Sequence, residues 1–168
     1  MLISNETSEA LDILVGKMFD LNRSFDRAVS WMQNVWSMPQ ASDIVHHKLA
    51  HLFPLLADLL TEIKDRYNVP SVYPETHRDG REYQNLLGMF ETLLKECSDG
   101  YEMIVRVEDI AISHKDKNVL ADMVNFMQKY NELMGQVITL RDKAEQLPTS
   151  YDEFDRHIKS WGIKGVSL

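Results

Sequence analysis

Between residues 14 and 35 the apolar side chains Leu14, Met18, Leu21, Phe25, Ala28, Met32 and Val35 recur at spacings of 4, 3, 4, 3, 4 and 3, with no polar interruption. A stripe that holds this phase belongs to a helix, and it leaves that helix with one face that must be buried against other helices. Leu11, Val15, Val29 and Trp36 widen the face beyond a two-stranded seam, as packing against more than one neighbour requires. The same signature returns three times. Residues 37–67 carry Val45, Leu49, Leu52, Leu56, Leu59 and Ile63; residues 81–113 carry Tyr83, Leu87, Phe90, Leu94, Cys97, Tyr101 and Ile104; and the stretch after Asp116 carries Leu120, Met123, Met127, Tyr130, Met134 and Val137. Four helices of this kind predict an all-α four-helix bundle, with residues 1–168 as a single domain.

The connections set the topology. Ser37, Met38, Pro39 and Gln40 read as a tight break with a capping box, Pro39 fitting the first turn of the second helix. Pro54 lies inside that helix and has no N–H to give to the carbonyl of Ala50, so the sequence predicts a kink or a break there. Residues 68–80, NVPSVYPETHRDG, are held extended by Pro70 and Pro74. Thirteen residues at about 3.3 Å each reach roughly 40 Å, the length of the neighbouring helices. Asp116 is an expected N-cap for the fourth helix. Ser150 with Glu153 forms a further capping-box pattern for a short fifth helix over residues 151–161, stopped by Gly162. A long crossover between the second and third helices, with short turns on either side, gives the up-down-down-up order of ferritin-like folds.

Charge and composition exclude several classes of function. The net charge is −8 and the pI near 5.2, no run of Lys or Arg occurs, and the first nine residues carry neither. The whole surface is therefore unsuited to tight non-specific binding of nucleic acid, and DNA binding is expected to be weak or absent. Cys97 is the single cysteine, which excludes an intrachain disulfide or a cysteine-ligated cluster. No apolar run approaches the ~20 residues of a membrane span and no basic, apolar leader opens the chain, so a soluble cytoplasmic protein is expected. Ile13, Phe19 and Trp31 exceed what one seam can take up and point to a homo-oligomer.

Chemistry concentrates on the second helix. His47, His51, Asp58, Glu62 and Asp65 line the side away from its seam at spacings of 4, 7, 4 and 3. Imidazole with carboxylate suits iron, manganese or zinc, and a mixed oxygen and nitrogen set leaves iron able to cycle between oxidation states. Two readings stand: a solvated helix face, or half of a metal site completed by a second subunit. His46 reads as a boundary residue beside the seam. Tyr101, Tyr130 and most methionines read as core, and Cys97 as a buried, inert thiol. The dinuclear centre usual in ferritin-like bundles takes Glu-x-x-His from two helices, and the chain has no such motif.

Trp36 followed by His47 on the next helix, the helix over residues 45–66, and residues 116–123 (DKNVLADM) resemble the Dps branch of the ferritin-like superfamily, with the likeness spread over about residues 7–147. That resemblance implies a hollow dodecamer that oxidises ferrous iron, preferably with peroxide, and stores the mineral, protecting against oxidative stress. It implies ligands at the interface of two subunits. On it His47 falls on a ligand histidine, His51 replaces an acid one turn later, and Glu62 falls on the acid fifteen positions after His47. Val35 and Arg66 stand where the resemblance places a further histidine and a glutamate; Asp58 and Asp65 are the geometric substitutes. The expectation is an iron-binding homo-oligomer with an altered ferroxidase site. The other reading is a non-catalytic helical bundle for assembly or protein interaction that has lost that site.

Overall fold

The computed structural model describes residues 3–168. Its long helices are α1 (Asn5–Asn34), α3 (Leu52–Asp65), α4 (Leu86–Ser113) and α5 (Lys117–Gln146). A short helix α2 (Pro39–Val45) runs through a π-helical turn (His46–Ala50) into α3. Helix α6 (Tyr151–His157) ends in a 3₁₀ turn (Ile158–Ser160). Contacts between chain-distant residues fix the directions. Ser4 at the start of α1 meets Asp116 at the start of α5, whereas Asp12 meets Lys64 near the end of α3 and Lys17 meets Glu96. Helices α1 and α5 therefore run one way and α3 and α4 the other. This is the expected up-down-down-up bundle, with a long crossover and an added short helix.

The α1 stripe is buried as its spacing predicts, except Val35, which lies past the helix end and is exposed. On α4 and α5 the buried faces are turned relative to the expected ones. The core takes Leu86, Phe90, Leu93, Cys97, Gly100, Ile104 and Val107 from α4, and Val119, Met123, Phe126, Tyr130, Leu133 and Val137 from α5. Tyr101 is exposed, and Leu94, Leu120, Met127 and Met134 are only partly covered. Each helix offers two adjacent apolar stripes that share Phe90, Cys97 and Ile104, or Met123, Tyr130 and Val137. The close approach at Gly100 selects between them. The Tyr130 hydroxyl sits over Gly100, where a methyl group would collide with it, and donates to the Cys97 carbonyl at 2.6 Å.

The crossover is longer than predicted. The third helix was expected from residue 81, but α4 begins at Leu86 behind Asn85, whose side chain accepts from the Gly88 N–H at 2.8 Å. Residues 81–85 are drawn into the strap because Arg81 bonds to α1 and α4 and Tyr83 packs on α1. Arg81 reaches Ser24 and Glu96, and the Tyr83 ring packs edge-on against Trp31 at 6.1 Å. The strap lies along α1 over a stripe with 4, 3, 4 spacing: Gly16, Asp20, Arg23 and Arg27. Pro74 seats against Gly16, where a methyl group would collide. Asp20 accepts from the His77 N–H at 2.8 Å, Arg23 bonds Thr76, and Arg27 donates to the Arg81 carbonyl at 2.8 Å.

None of the expected side-chain caps closes its own helix. Ser37 takes a left-handed φ of 53°, and the start of α2 is capped from a distance by Asp155, which accepts from the Ala41 N–H at 2.7 Å. Asp116 reaches across to the start of α1, accepting from the Ser4 and Thr7 hydroxyls at 2.9 and 2.5 Å. Ser150 precedes α6 without a side-chain cap bond. These bonds tie chain segments more than a hundred residues apart, so the caps serve tertiary structure rather than local helix formation. The fifth helix, expected over residues 151–161, tightens into the 3₁₀ turn after His157. Lys64 is fully buried and pairs with Asp12 at 2.7 Å, an ion pair inside the bundle. Among the described residues no helix is long and apolar enough to cross a membrane.

Candidate metal centre

The interior of the bundle offers no ligands. The buried side chains of α1, α3, α4 and α5 are mainly apolar; the polar ones, Thr7, Ser8, Ser24, Lys64, Tyr130 and Gln136, include no carboxylate and no imidazole, and the rings of Phe25 and Phe53 pack tilted by 47° with centroids 4.8 Å apart. Among the described residues no glutamate and no histidine is buried. A dinuclear centre of the bundle-core type, which needs inward carboxylates and histidines, does not fit these residues. Cys97 adds no ligand: burial pushes its thiol up to about 12, outweighing the opposing pull of Lys17 and Tyr130, so it is fully protonated at neutral pH.

The flank is different. Pro54 sits in the first turn of α3, and just upstream the ladder widens, the His51 N–H bonding to the His46 carbonyl at 3.2 Å. In an α-helix residues five apart diverge by about 140°; a π turn, with its extra residue, brings them towards one side. His46 and His51 thus come together, ring centroids 4.4 Å apart, and His47 joins them at 4.8 Å from His46 and 5.2 Å from His51. The turn is braced from below. Asn22 on α1 donates to the Ala50 carbonyl at 3.0 Å, and Gly165 lies so close that a side chain there would come within 2.9 Å of the Lys48 carbonyl.

His47 is oriented by an acid. Its Nδ1 lies 3.0 Å from the Asp43 carbonyl oxygen and 3.1 Å from the Asp43 carboxylate. Both partners are acceptors, which places the proton of a neutral ring on Nδ1 and leaves the Nε2 lone pair free. Metal-binding histidines are oriented by carboxylates in the same way.

The five residues expected from sequence do not gather within one subunit. His47 and His51 are in contact, but Asp58, Glu62 and Asp65 are strung along the exposed side of α3. At 1.5 Å per residue Glu62 lies about 16 Å along the axis from His51. Among the described residues no group of three or more His, Cys, Asp or Glu is arranged to hold a metal ion. Arg66 is engaged by Asp122 of α5 at 2.6 Å, and Trp36 stacks on Tyr151 at 4.8 Å. His46 and Asp43 are the residues sequence reasoning missed. The usable signal was a His-His pair about two turns upstream of a helix-internal proline, with an acid four residues before the second histidine.

No family model matches the chain, and no curated protein matches it. Solved structures do. An open-pore ferritin of the hyperthermophilic archaeon Archaeoglobus fulgidus superposes with a TM-score of 0.88 at 12% identity, over 97% of this chain and 98% of that one. A humanized archaeal ferritin gives 0.88 at 11%, over 99% of each. The fold is ferritin-like. A form of the A. fulgidus ferritin closed by site-directed mutagenesis matches at 0.85 and 12%, over 98% and 99%. At such identities the likeness is one of backbone architecture. It spans the bundle, crossover and short last helix together.

Proposed function

We propose that this ferritin-like chain is a self-assembling subunit whose metal chemistry lies on its flank, with ferrous iron as substrate or cargo at the histidine triad. The observation that supports the reading most is the convergence of His46, His47 and His51 on the π turn, exposed or half-exposed, with His47 oriented by Asp43. Imidazole nitrogens alone bind divalent first-row metals, and carboxylates from a second subunit favour the ferric state of a redox ion. An isologous pair with α3 antiparallel across a two-fold axis brings His47 and His51 of one subunit towards the exposed acids of the other, Glu62, Asp65 and Asp58 in this numbering. A closed oligomer follows, a dodecamer being the form the Dps resemblance suggests, with sequestration of iron and protection against peroxide as its roles.

The test is oxidation of ferrous iron under air and under peroxide, followed at the ferric absorbance, with sedimentation of the same sample. Oxidation faster than buffer, lost in His47→Ala and His51→Ala while the oligomer persists, supports the reading. Rates equal to buffer in all three proteins sink it.

A second reading has its own observation. The bundle interior around Phe25 and Phe53 is filled by packing side chains where a core metal site needs ligands, which suits an assembly or interaction module that keeps only the fold. An oligomer that neither binds nor oxidises iron is the outcome it expects.

A further inference from the structure

The strap and α1 form an open concavity of about 590 Å³, separate from the histidine triad. Into it turn Arg23 and Arg27 from α1 and Arg78 from the strap, three of the eight arginines in a chain whose net charge is −8. Their acidic neighbours do not cancel them. Asp79, also on the wall, is committed to Arg81, whose Nη2 lies 2.5 Å away and whose Nε bonds both carboxylate oxygens at 3.2 Å. Burial opposes the charge on Asp79, but the Arg81 bonds outweigh it and hold the carboxyl below its usual range. Arg81 shares its remaining charge with Glu96, which Lys17 pairs in turn at 3.1 Å, so these two acids and two bases balance among themselves. Asp20 lies behind His77 and is bonded to its N–H and Nδ1. Asp26 alone opposes the three arginines at the wall, leaving two positive charges in excess.

Arg23 and Arg27 are also held in place with donors to spare. Arg27 spends Nε on the Arg81 carbonyl and Nη2 on the Gly80 carbonyl at 3.3 Å, and Arg23 spends Nη1 on Thr76. Arg78 makes no hydrogen bond or ion pair among the described residues. Guanidinium forks with free N–H pairs on two walls of one concavity, those of Arg23 and Arg27 held by their bonds to the strap, match the oxygens of a phosphate group. We infer that this cavity is a binding site for a phosphate group, carried by free phosphate or pyrophosphate or by a nucleotide. The bound anion bridges α1 to the strap.

Calorimetry at physiological ionic strength with inorganic phosphate, pyrophosphate and ADP tests the inference on the full chain. The controls are Arg78→Gln and Arg23→Gln, and Arg106→Gln, which removes the same charge at an arginine equally without a partner elsewhere. The expected result is saturable binding of at least one ligand, weakened tenfold or more in R78Q and R23Q and unchanged in R106Q. ADP binding tighter than pyrophosphate identifies a nucleotide as the source; the reverse identifies the free anion. No binding, equal weakening in R106Q, or tighter binding of duplex DNA than of any of the three overturns the site. Circular dichroism of R78Q, whose side chain makes no hydrogen bond or ion pair among the described residues, guards against loss of fold.

Discussion

The side-chain amide of Asn22 donates to the main-chain carbonyl of Ala50 at 3.0 Å, the carbonyl that Pro54 has no N–H to reach. One residue on α1 thereby meets the demand created by a proline on α3, and the π turn that gathers the histidines lies between them. Replacing Asn22 by Ala leaves a buried acceptor unmet and is expected to cost about 1–3 kcal/mol. In a Pro54→Ala background, where residue 54 regains its N–H, the cost of losing Asn22 falls by about 0.5 kcal/mol or more. Urea denaturation of the four proteins in the cycle measures this; simple additivity refutes the pairing.

Asp12 and Lys64 form an ion pair whose lysine is fully buried. Asp12→Ala strands a buried ammonium and is expected to destabilise by about 3–5 kcal/mol, whereas Asp12→Leu with Lys64→Met is close to neutral. Denaturation midpoints at constant slope separate the two cases.

Gly16→Ala is expected to lift the strap, since the new methyl group collides with the rigid ring of Pro74. A loss of about 1–3 kcal/mol, the range for overpacking, is accompanied by faster proteolysis within residues 70–80. Gly135→Ala, where a side chain meets open space on an exposed helix, raises stability by up to about 1 kcal/mol through helix propensity.

Acid acts on the strap through Asp79. Its carboxyl titrates below the ordinary value in the folded protein, so the stability it contributes is complete above the unfolded pKa and is lost as pH falls through the lower folded one. Asp79→Asn therefore lowers Tm at pH 7, and the gap from wild type closes below about pH 4. A gap that does not narrow as pH falls below about 4 rules out this linkage.

Cys97, with its thiol pushed up to about 12 and no exposed surface, resists thiol reagents at neutral pH until the bundle opens. Labelling under increasing urea is expected to track global unfolding, with no fast phase in buffer.

The bundle and its connectivity were legible because four uninterrupted stripes and one proline-held linker admit few other arrangements. The register of α4 and α5 was less so. Leu87 and Leu94 are as apolar as Leu86 and Leu93, and the choice between them rests on Gly100 meeting Tyr130, a contact between helices that no single-helix pattern contains. The start of α4 was misplaced because Arg81 and Tyr83 have ordinary helix propensity, but Arg81 bonds to α1 and α4 and Tyr83 packs on Trp31. At the site, His47 and His51 were visible from their spacing. His46 was not, since a helix of constant pitch turns it away, and only the π turn brings it back. The acids Asp58, Glu62 and Asp65 satisfied the angular pattern while lying too far along the axis for one ion to reach.

The strap is also the sole covalent link between two helical hairpins, α1 with α2 and α3 on one side and α4 with α5 on the other. Its first part, where Val72 and Tyr73 are 70% and 63% exposed, carries few of the bonds that hold residues 74–83 to α1. Cutting the chain beside Val72 therefore leaves two fragments joined only by non-covalent contacts, the apolar seam and the bonds of residues 74–83 to α1. Their association becomes bimolecular, and the melting temperature of the nicked protein rises with its concentration while that of the intact chain, at a fixed oligomeric state, does not.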